Sequence, residues 1–508
     1  MKQDEFKIRY IIKLSSSALI AILNIIIQMI LPRVLSVEEY GYYSYNLNVF
    51  TSVVSMATLS APNALVSKFA KRNEEIGLVI FYIKLYFIIG VLLNISIIYI
   101  YVSGFIEKFF SGQTLFIVLL GLEVSVFLKL QTDSISIFDA MAISRFPAIM
   151  QIVLKLVLSL FVIFGYFTGR LNLLFFYASQ TIVLSVIVFI MIHAIIKEQT
   201  RRYPNRIDLG YKSYLKEYYR FCRPLVLSNI ISQIIVIFMN WVLMKWAGVF
   251  EQAIFGVVWQ LNSLVSYVFS PYAELSKREF AVIFQDIEAL KHRFVQSLKL
   301  MIWLTSYFAI FIGFLSEWFL PIIYGEKYAK ATSVTIIIMF YTVYQAWGQI
   351  SGSFLLALEK TKISASLGML GQIITFALVF LFQIPNQIWP LGLGALGIAL
   401  TYLVSNIIGV TISLYVNTRL LQIPFFKNYL IQVPPLLLSS FTAILLKQLI
   451  NQVWIGNSIS VYIGKIFIAG IIYTAFFAII ICCKPQWIGL SNDSLKAIIK
   501  YKVKGSKS

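Results

Sequence analysis

LPRVLSVEEYGYYSY, residues 31–45, packs a proline, two glutamates, a glycine and four tyrosines between two oily stretches. It follows ALIAILNIIIQMI, residues 18–30, and leads into a segment where serines, threonines and asparagines interrupt the apolar residues. A sharp polar turn set between long apolar runs is the mark of a membrane hairpin. The whole chain repeats that alternation. Its 508 residues are 59% hydrophobic and only 13% charged, with a mean hydropathy of +0.83. Soluble domains carry about a quarter charged residues, which excludes that class. Apolar windows of about 20 residues recur along the chain, each long enough to cross a hydrocarbon core of roughly 30 Å. Continuous runs favour helices, because barrel strands would show alternating polarity over about ten residues.

The expected spans lie near 11–31, 42–62, 78–102, 114–137, 147–167, 172–196 and 222–246. They continue near 251–273, 294–318, 332–358, 363–384, 393–416, 430–450 and 460–483. The second and eighth are the least apolar. The basic N-terminus before the first run superficially suggests a signal peptide. The run is too long and lacks a small-residue cleavage site, so it reads as a retained first span. With both termini inside, the cytoplasmic segments hold about 29 of the 42 Lys and Arg residues, against about six outside. That excess is the positive-inside pattern. Its strongest contributor is KEQTRRYPNRIDLGYKSYLKEYYRFCRP, residues 197–224, midway along the chain. The formal charge of +20 is therefore mostly topology, and nucleic acid is not an expected partner. Cys222, Cys482 and Cys483 offer no disulfide framework, and His193 and His292 form no ligand cluster, so no metal or cofactor is expected.

The opening turn occurs twice. MKWAGVFEQAIFGVVWQL, residues 244–261, again ends an apolar helix, passes a glutamate, reaches an aromatic-Gly pair and starts a semi-polar helix. Tyr40-Gly41 matches Phe255-Gly256 at an offset of 215 residues, and Gly112 matches Gly325 at 213. A third pair, Pro62 to Lys68 against Pro271 to Lys277, gives 209, which calls for a gap. Two six-helix lobes in parallel repeat follow, related by an axis along the membrane normal. The expected domains are an N-terminal lobe at 1–196, a basic linker at 197–221, a C-terminal lobe at 222–429, two further spans within 430–483, and a basic tail at 484–508. The tail reads either as a basic helix on anionic headgroups or as a solvated end.

PRVLSVEEYGYYSY (32–45), SKFAKRNEE (67–75) and YGEKYAKA (324–331) together resemble the polysaccharide flippase family, the Wzx-type translocases of O-antigen and capsule repeat units. That family is grouped with the MATE-type exporters and the lipid II flippase. The resemblance implies two six-helix bundles around a V-shaped cavity, working by alternating access in the bacterial inner membrane. The substrate it implies is an undecaprenyl-pyrophosphate-linked oligosaccharide, moved to the outer leaflet. Polysaccharide assembly proteins are the implied protein partners, and H+ or Na+ the implied coupling ion.

Sugar and pyrophosphate cannot cross hydrocarbon unaided, since each unpaired polar group there costs several kcal/mol. Helices lining such a route should carry polar stripes. Ser17, Asn24 and Gln28 stripe the first span, and Tyr45, Asn48, Ser52 and Ser55 the second. Asn229, Gln233 and Asn240 stripe the seventh, and Gln260, Ser263 and Tyr267 the eighth. The competing reading of each is an interhelical hydrogen bond. Lysines also outnumber carboxylates within the spans, which suits an anionic headgroup. Lys84, Lys129 and Lys155 are the deepest candidates, with Lys245 and, at span ends, Arg33 and Lys68. Lys13, Lys299 and Lys465 are expected to snorkel to the headgroups. Glu123 and Asp133 are the candidate coupling-ion carboxylates, although Lys129 and Asp133, four residues apart, could simply neutralise each other.

The chain contains no GxxxxGK[ST] stretch, which speaks against direct ATP hydrolysis. A drug exporter should place carboxylates on spans one, two, seven and eight, where the only one is Glu251, at the first position of the eighth. A polymerase or ligase should have a long outer loop. A purely structural role leaves the stripes and lysines without a purpose.

Overall fold

The computed structural model describes residues 3–58, 75–141, 143, 145–203, 210–385, 392–456 and 458–489. The described chain is helical, and its long helices are numbered here in order. They begin with α1 (Gln3–Val34), α2 (Val37–Ala57), α3 (Ile76–Val102), α4 (Leu115–Ala140), α5 (Arg145–Phe167), α6 (Leu173–Arg202) and α7 (Tyr211–Val242). They continue with α8 (Gly248–Val282), α9 (Ile287–Phe314), α10 (Thr332–Ala357), α11 (Thr361–Phe382), α12 (Gly394–Leu421), α13 (Val433–Val453) and α14 (Ile459–Cys483). Each expected span falls on one of these helices. Eleven stretches are both long and apolar enough to cross a membrane, one of them running across α7 and α8. The helices α2 and α10 are not among them. Helices suit this composition because they satisfy every backbone group internally, which hydrocarbon demands.

The opening turn is tighter than the span boundaries suggested. α1 runs to Val34 and α2 starts at Val37, so two residues make the reversal. Ser36 accepts from the Glu39 backbone N–H, and Glu39 accepts from that of Ser36, both at 3.0 Å. This capping box satisfies donors that the helix start leaves orphaned. The basic stretch 197–221 is largely helical, since α6 extends to Arg202 and α7 begins at Tyr211. Lys68 and the tail from 490 onward lie outside the described residues.

The chain divides into two compact units at Gly256. In the first, α2 packs on α4 and α7, α4 on α3 and α6, and α5 on α1 and α6. Its apolar centre gathers Tyr45, Val49, Phe50 and Val54 with Phe110, Val118, Leu122 and Val126. In the second unit, α10 packs on α9 and α12, α11 on α12, and α13 on α9 and α14. Three pairings recur in equivalent places: α3–α4 with α9–α10, α4–α6 with α10–α12, and α5–α6 with α11–α12. Beyond α14 the chain folds back on α9. Gln296 Nε2 donates to the Gly489 carbonyl at 2.6 Å, Lys299 Nζ to that of Gln486 at 3.2 Å, and the Trp487 ring stacks on Trp303 at 6.4 Å.

Candidate functional site

The polar side chains of α2 and α7 meet each other. Asn48 Nδ2 donates to Asn240 Oδ1 at 3.2 Å, and Asn229 Nδ2 to the Ser55 carbonyl at 3.1 Å. Lower on the same pair, the Tyr218 hydroxyl donates to the Thr58 carbonyl at 2.8 Å. Gln233, between Asn229 and Asn240 in sequence, is half-buried, and so are Asn24 and Gln28 on α1. Hydrocarbon provides no hydrophobic drive between helices, so such bonds and close packing carry the association. Tyr45 does not share this face. It is 1% exposed and turned into the apolar centre, edge-on to Phe110 at 5.7 Å. Ser52 is likewise buried. A stripe at helical spacing is wide enough to straddle two neighbours, here α7 on one side and the apolar centre on the other.

Gln252, in the first turns of α8, was not singled out in the sequence. Its Nε2 donates to Asn240 Oδ1 at 3.0 Å and reaches Ser44 Oγ at 3.5 Å. Asn240, 2% exposed, therefore accepts from both Asn48 and Gln252 while its own Nδ2 donates to the Val236 carbonyl at 2.9 Å. Four polar residues thus tie α2, α7 and the start of α8. The two glycines matched by the internal repeat lie in the same clasp. A Cβ at Gly41 would strike the Val249 carbonyl and Cγ2, and one at Gly256 would lie 2.7 Å from Ser44 Cβ and 3.3 Å from the Tyr40 ring. Only glycine lets these backbones approach so closely.

Within the second unit, Gln260 is half-buried and Tyr267 exposed on α8, while Ser263 Oγ donates back to the Trp259 carbonyl at 3.0 Å. Beside them Trp259, Tyr341 and Tyr402 form one ring cluster, with centroids 5.0–5.9 Å apart. Below it Thr342 Oγ1 donates to Asn262 Oδ1 at 2.6 Å. These aromatics carried no signal in a search for polar stripes.

The three deep lysine candidates stand in different surroundings. Lys129 pairs with the buried Asp133 at 3.4 Å, and the Tyr86 hydroxyl donates to the same carboxylate. Lys84 is exposed on α3, and Lys155 is half-buried on α5, which packs on α1 and α6 instead of α3 or α4. Glu123 accepts from Asn94 Nδ2 at 2.7 Å. Arg33 is exposed, and Lys245 is exposed with its ammonium over Trp241 and Trp246. Lys465 does not snorkel. It is 4% exposed, donates to Asn451 Oδ1 on α13 at 2.8 Å and lies over the ring of Trp318, on the short helix Ser316–Ile323 that packs against α14. Among the described residues no His, Cys, Asp and Glu group could hold a metal ion.

No protein-family model and no curated protein sequence matches this chain. Solved structures do. The lipid II flippase MurJ in an inward closed conformation superposes with a TM-score of 0.67 at 15% identity, covering 93% of this chain and 98% of its own. An inward-facing multidrug resistance MATE family transporter of the MOP superfamily gives 0.61 at 13% identity, covering 81% of this chain and 99% of its own. The MATE multidrug transporter DinF-BH gives 0.58 at 13%, covering 82% and 96%. The chain has the helical fold of the MOP-superfamily transporters and is a multi-pass membrane protein.

Proposed function

We propose that this protein flips a lipid-linked oligosaccharide, carried on undecaprenyl pyrophosphate, from the cytoplasmic to the outer leaflet of a bacterial inner membrane. Alternating access between two lobes is the proposed mode, with both termini cytoplasmic. The observation that carries this reading is the amide cluster where α2, α7 and the start of α8 meet, in which Asn48, Asn229, Asn240 and Gln252 bond to one another and to the Ser55 carbonyl without a carboxylate among them. Amides and hydroxyls can exchange bonds among themselves for bonds to sugar hydroxyls at little net cost. A cationic drug would want carboxylates, and the in-span pair Glu123 and Asp133 already has partners on α3 and α4. The helices beyond the first twelve are compatible with the broader coverage obtained with a lipid flippase fold.

Lys84, Lys155 and Lys129 are the proposed phosphate contacts, with Lys129 held in reserve. While Asp133 is charged, it occupies the Lys129 ammonium. A proton taken up by Asp133, or Na+ bound there, weakens the pair and frees Lys129 for an anionic headgroup. That exchange would couple an ion gradient to substrate binding. Anionic lipids at the basic loops and polysaccharide assembly proteins are the proposed partners. The test is reconstitution in vesicles loaded with a polyprenyl-pyrophosphate-linked oligosaccharide, measuring glycan that becomes reachable by an external lectin. Lectin access no faster than in protein-free vesicles would sink the proposal.

A further inference from the structure

At the end of α7 the helix widens into a π-turn over Leu243–Ala247, and the chain then reverses at Gly248. In an α-helix, residues five apart point roughly 140° away from one another. The extra residue that a π-turn accommodates removes that divergence, and such turns recur at functional sites. Here it sets Trp241 and Trp246, five residues apart, edge to face at 5.6 Å. The Lys245 ammonium lies over both rings, at 4.7 and 5.0 Å from their centroids. The segment after α3 completes the surface. Trp241 Nε1 donates to the Lys108 carbonyl at 3.2 Å, the Phe109 ring meets Trp241 at 6.4 Å, and the Lys108 ammonium lies over Phe105 at 4.6 Å.

We propose that Trp241, Lys245 and Trp246, together with Lys108, form a binding site for the phosphate of an anionic phospholipid headgroup. Trp246 is 42% exposed, and both lysines are exposed. Ring faces hold each ammonium from one side and leave N–H donors directed outward. Glu107 and Glu251 are near in sequence, yet among the described residues no ion pair joins either of them to Lys108 or Lys245. Two cations without carboxylate partners, set among aromatics where helices end, present the chemistry that a headgroup phosphate recruits. A tryptophan belt alone needs neither the π-turn nor a lysine between two indoles. The site requires only that the chain spans a membrane and is independent of what it transports.

Native mass spectrometry of the full chain, released from micelles holding phosphatidylglycerol and phosphatidylcholine, reads the site directly. Lys245→Gln and Trp246→Leu should each cut retained phosphatidylglycerol about fivefold, the effect of one near-surface cation. Phosphatidylcholine retention and melting temperature should stay constant. Lys330→Gln, an exposed lysine elsewhere, should change nothing. Equal phosphatidylglycerol retention by wild type and Lys245→Gln overturns the proposal, as does an equal loss from Lys330→Gln. A further arm adds a polyprenyl pyrophosphate. If that lipid displaces phosphatidylglycerol from the wild type at equal concentration, the site belongs to the transported lipid and the assignment is wrong.

Discussion

Lys465 is a cation placed where hydrocarbon surrounds its helix, and one amide and one indole face hold it. Lys465→Met leaves Asn451 Oδ1 without its donor, a loss of about 1–3 kcal/mol. Asn451→Ala leaves the ammonium without its hydrogen-bond acceptor and should cost more, because an unsatisfied buried charge is penalised more than an unsatisfied neutral group. Thermal unfolding in detergent should therefore rank Asn451→Ala below Lys465→Met; the reverse order would show that the lysine is hydrated. The lysines of the first unit should separate in a similar way. Lys84→Gln and Lys155→Gln should keep normal protein levels and lower glycan export about tenfold, the loss of one charge-assisted contact. Lys129→Gln should instead lower the protein level, because it abandons buried Asp133, and Asp133→Asn should restore it. Full export by the Lys84→Gln, Lys155→Gln double variant would remove the phosphate role. Residue types and spacing exposed the Lys129–Asp133 pairing in advance, since four residues is one helical step. They could not expose the fate of Lys465, whose partner belongs to a neighbouring helix.

At the scale of elements, the crossing of α2 with the start of α8 depends on glycine at both contact points. Gly256→Leu must push Ser44 and Tyr40 aside, and it should lower both melting temperature and export. Gly352→Ala on α10, where an added Cβ meets nothing within 4 Å, should leave stability within about 0.5 kcal/mol of wild type. If the clasp separates during transport, Ser44→Cys with Gln252→Cys, joined through disulfides by a short bis-thiosulfonate cross-linker in a background lacking the three native cysteines, should stop export until reductant is added. Export unchanged in fully cross-linked protein would show a permanent tie. The crossing was half legible in the sequence. The repeated aromatic-Gly pair marked both glycines as equivalent, but an internal repeat says nothing about whether equivalent residues touch. Gln252 was missed because it precedes the residues read as the stripe of α8, although it stands about three helical turns before Ser263, and Tyr45 was misread because periodicity places a residue on a face without saying what that face meets.

For the whole molecule, hydropathy located every long described helix, since hydrocarbon thickness and backbone satisfaction allow little else. It was less able to place helix ends, because α7 and α8 continue past their apolar stretches on polar residues that water supports. Orientation rests on the charge asymmetry of the loops. Single cysteines at Gly104 and Lys330 should react with an impermeant thiol reagent in intact cells, and one at Lys212 should react only after lysis. Labelling at Lys212 from outside would reverse the topology. The fold-back of residues 484–489 onto α9 also bears on how the chain can be handled. A fluorescent reporter joined directly after Cys483 would strip Trp487 from Trp303 and the Gly489 carbonyl from Gln296. The same reporter joined beyond Gly489 would leave that seam closed, so apparent losses of expression in shortened fusions should be traced to an unseated end of α9 before they are attributed to the tail.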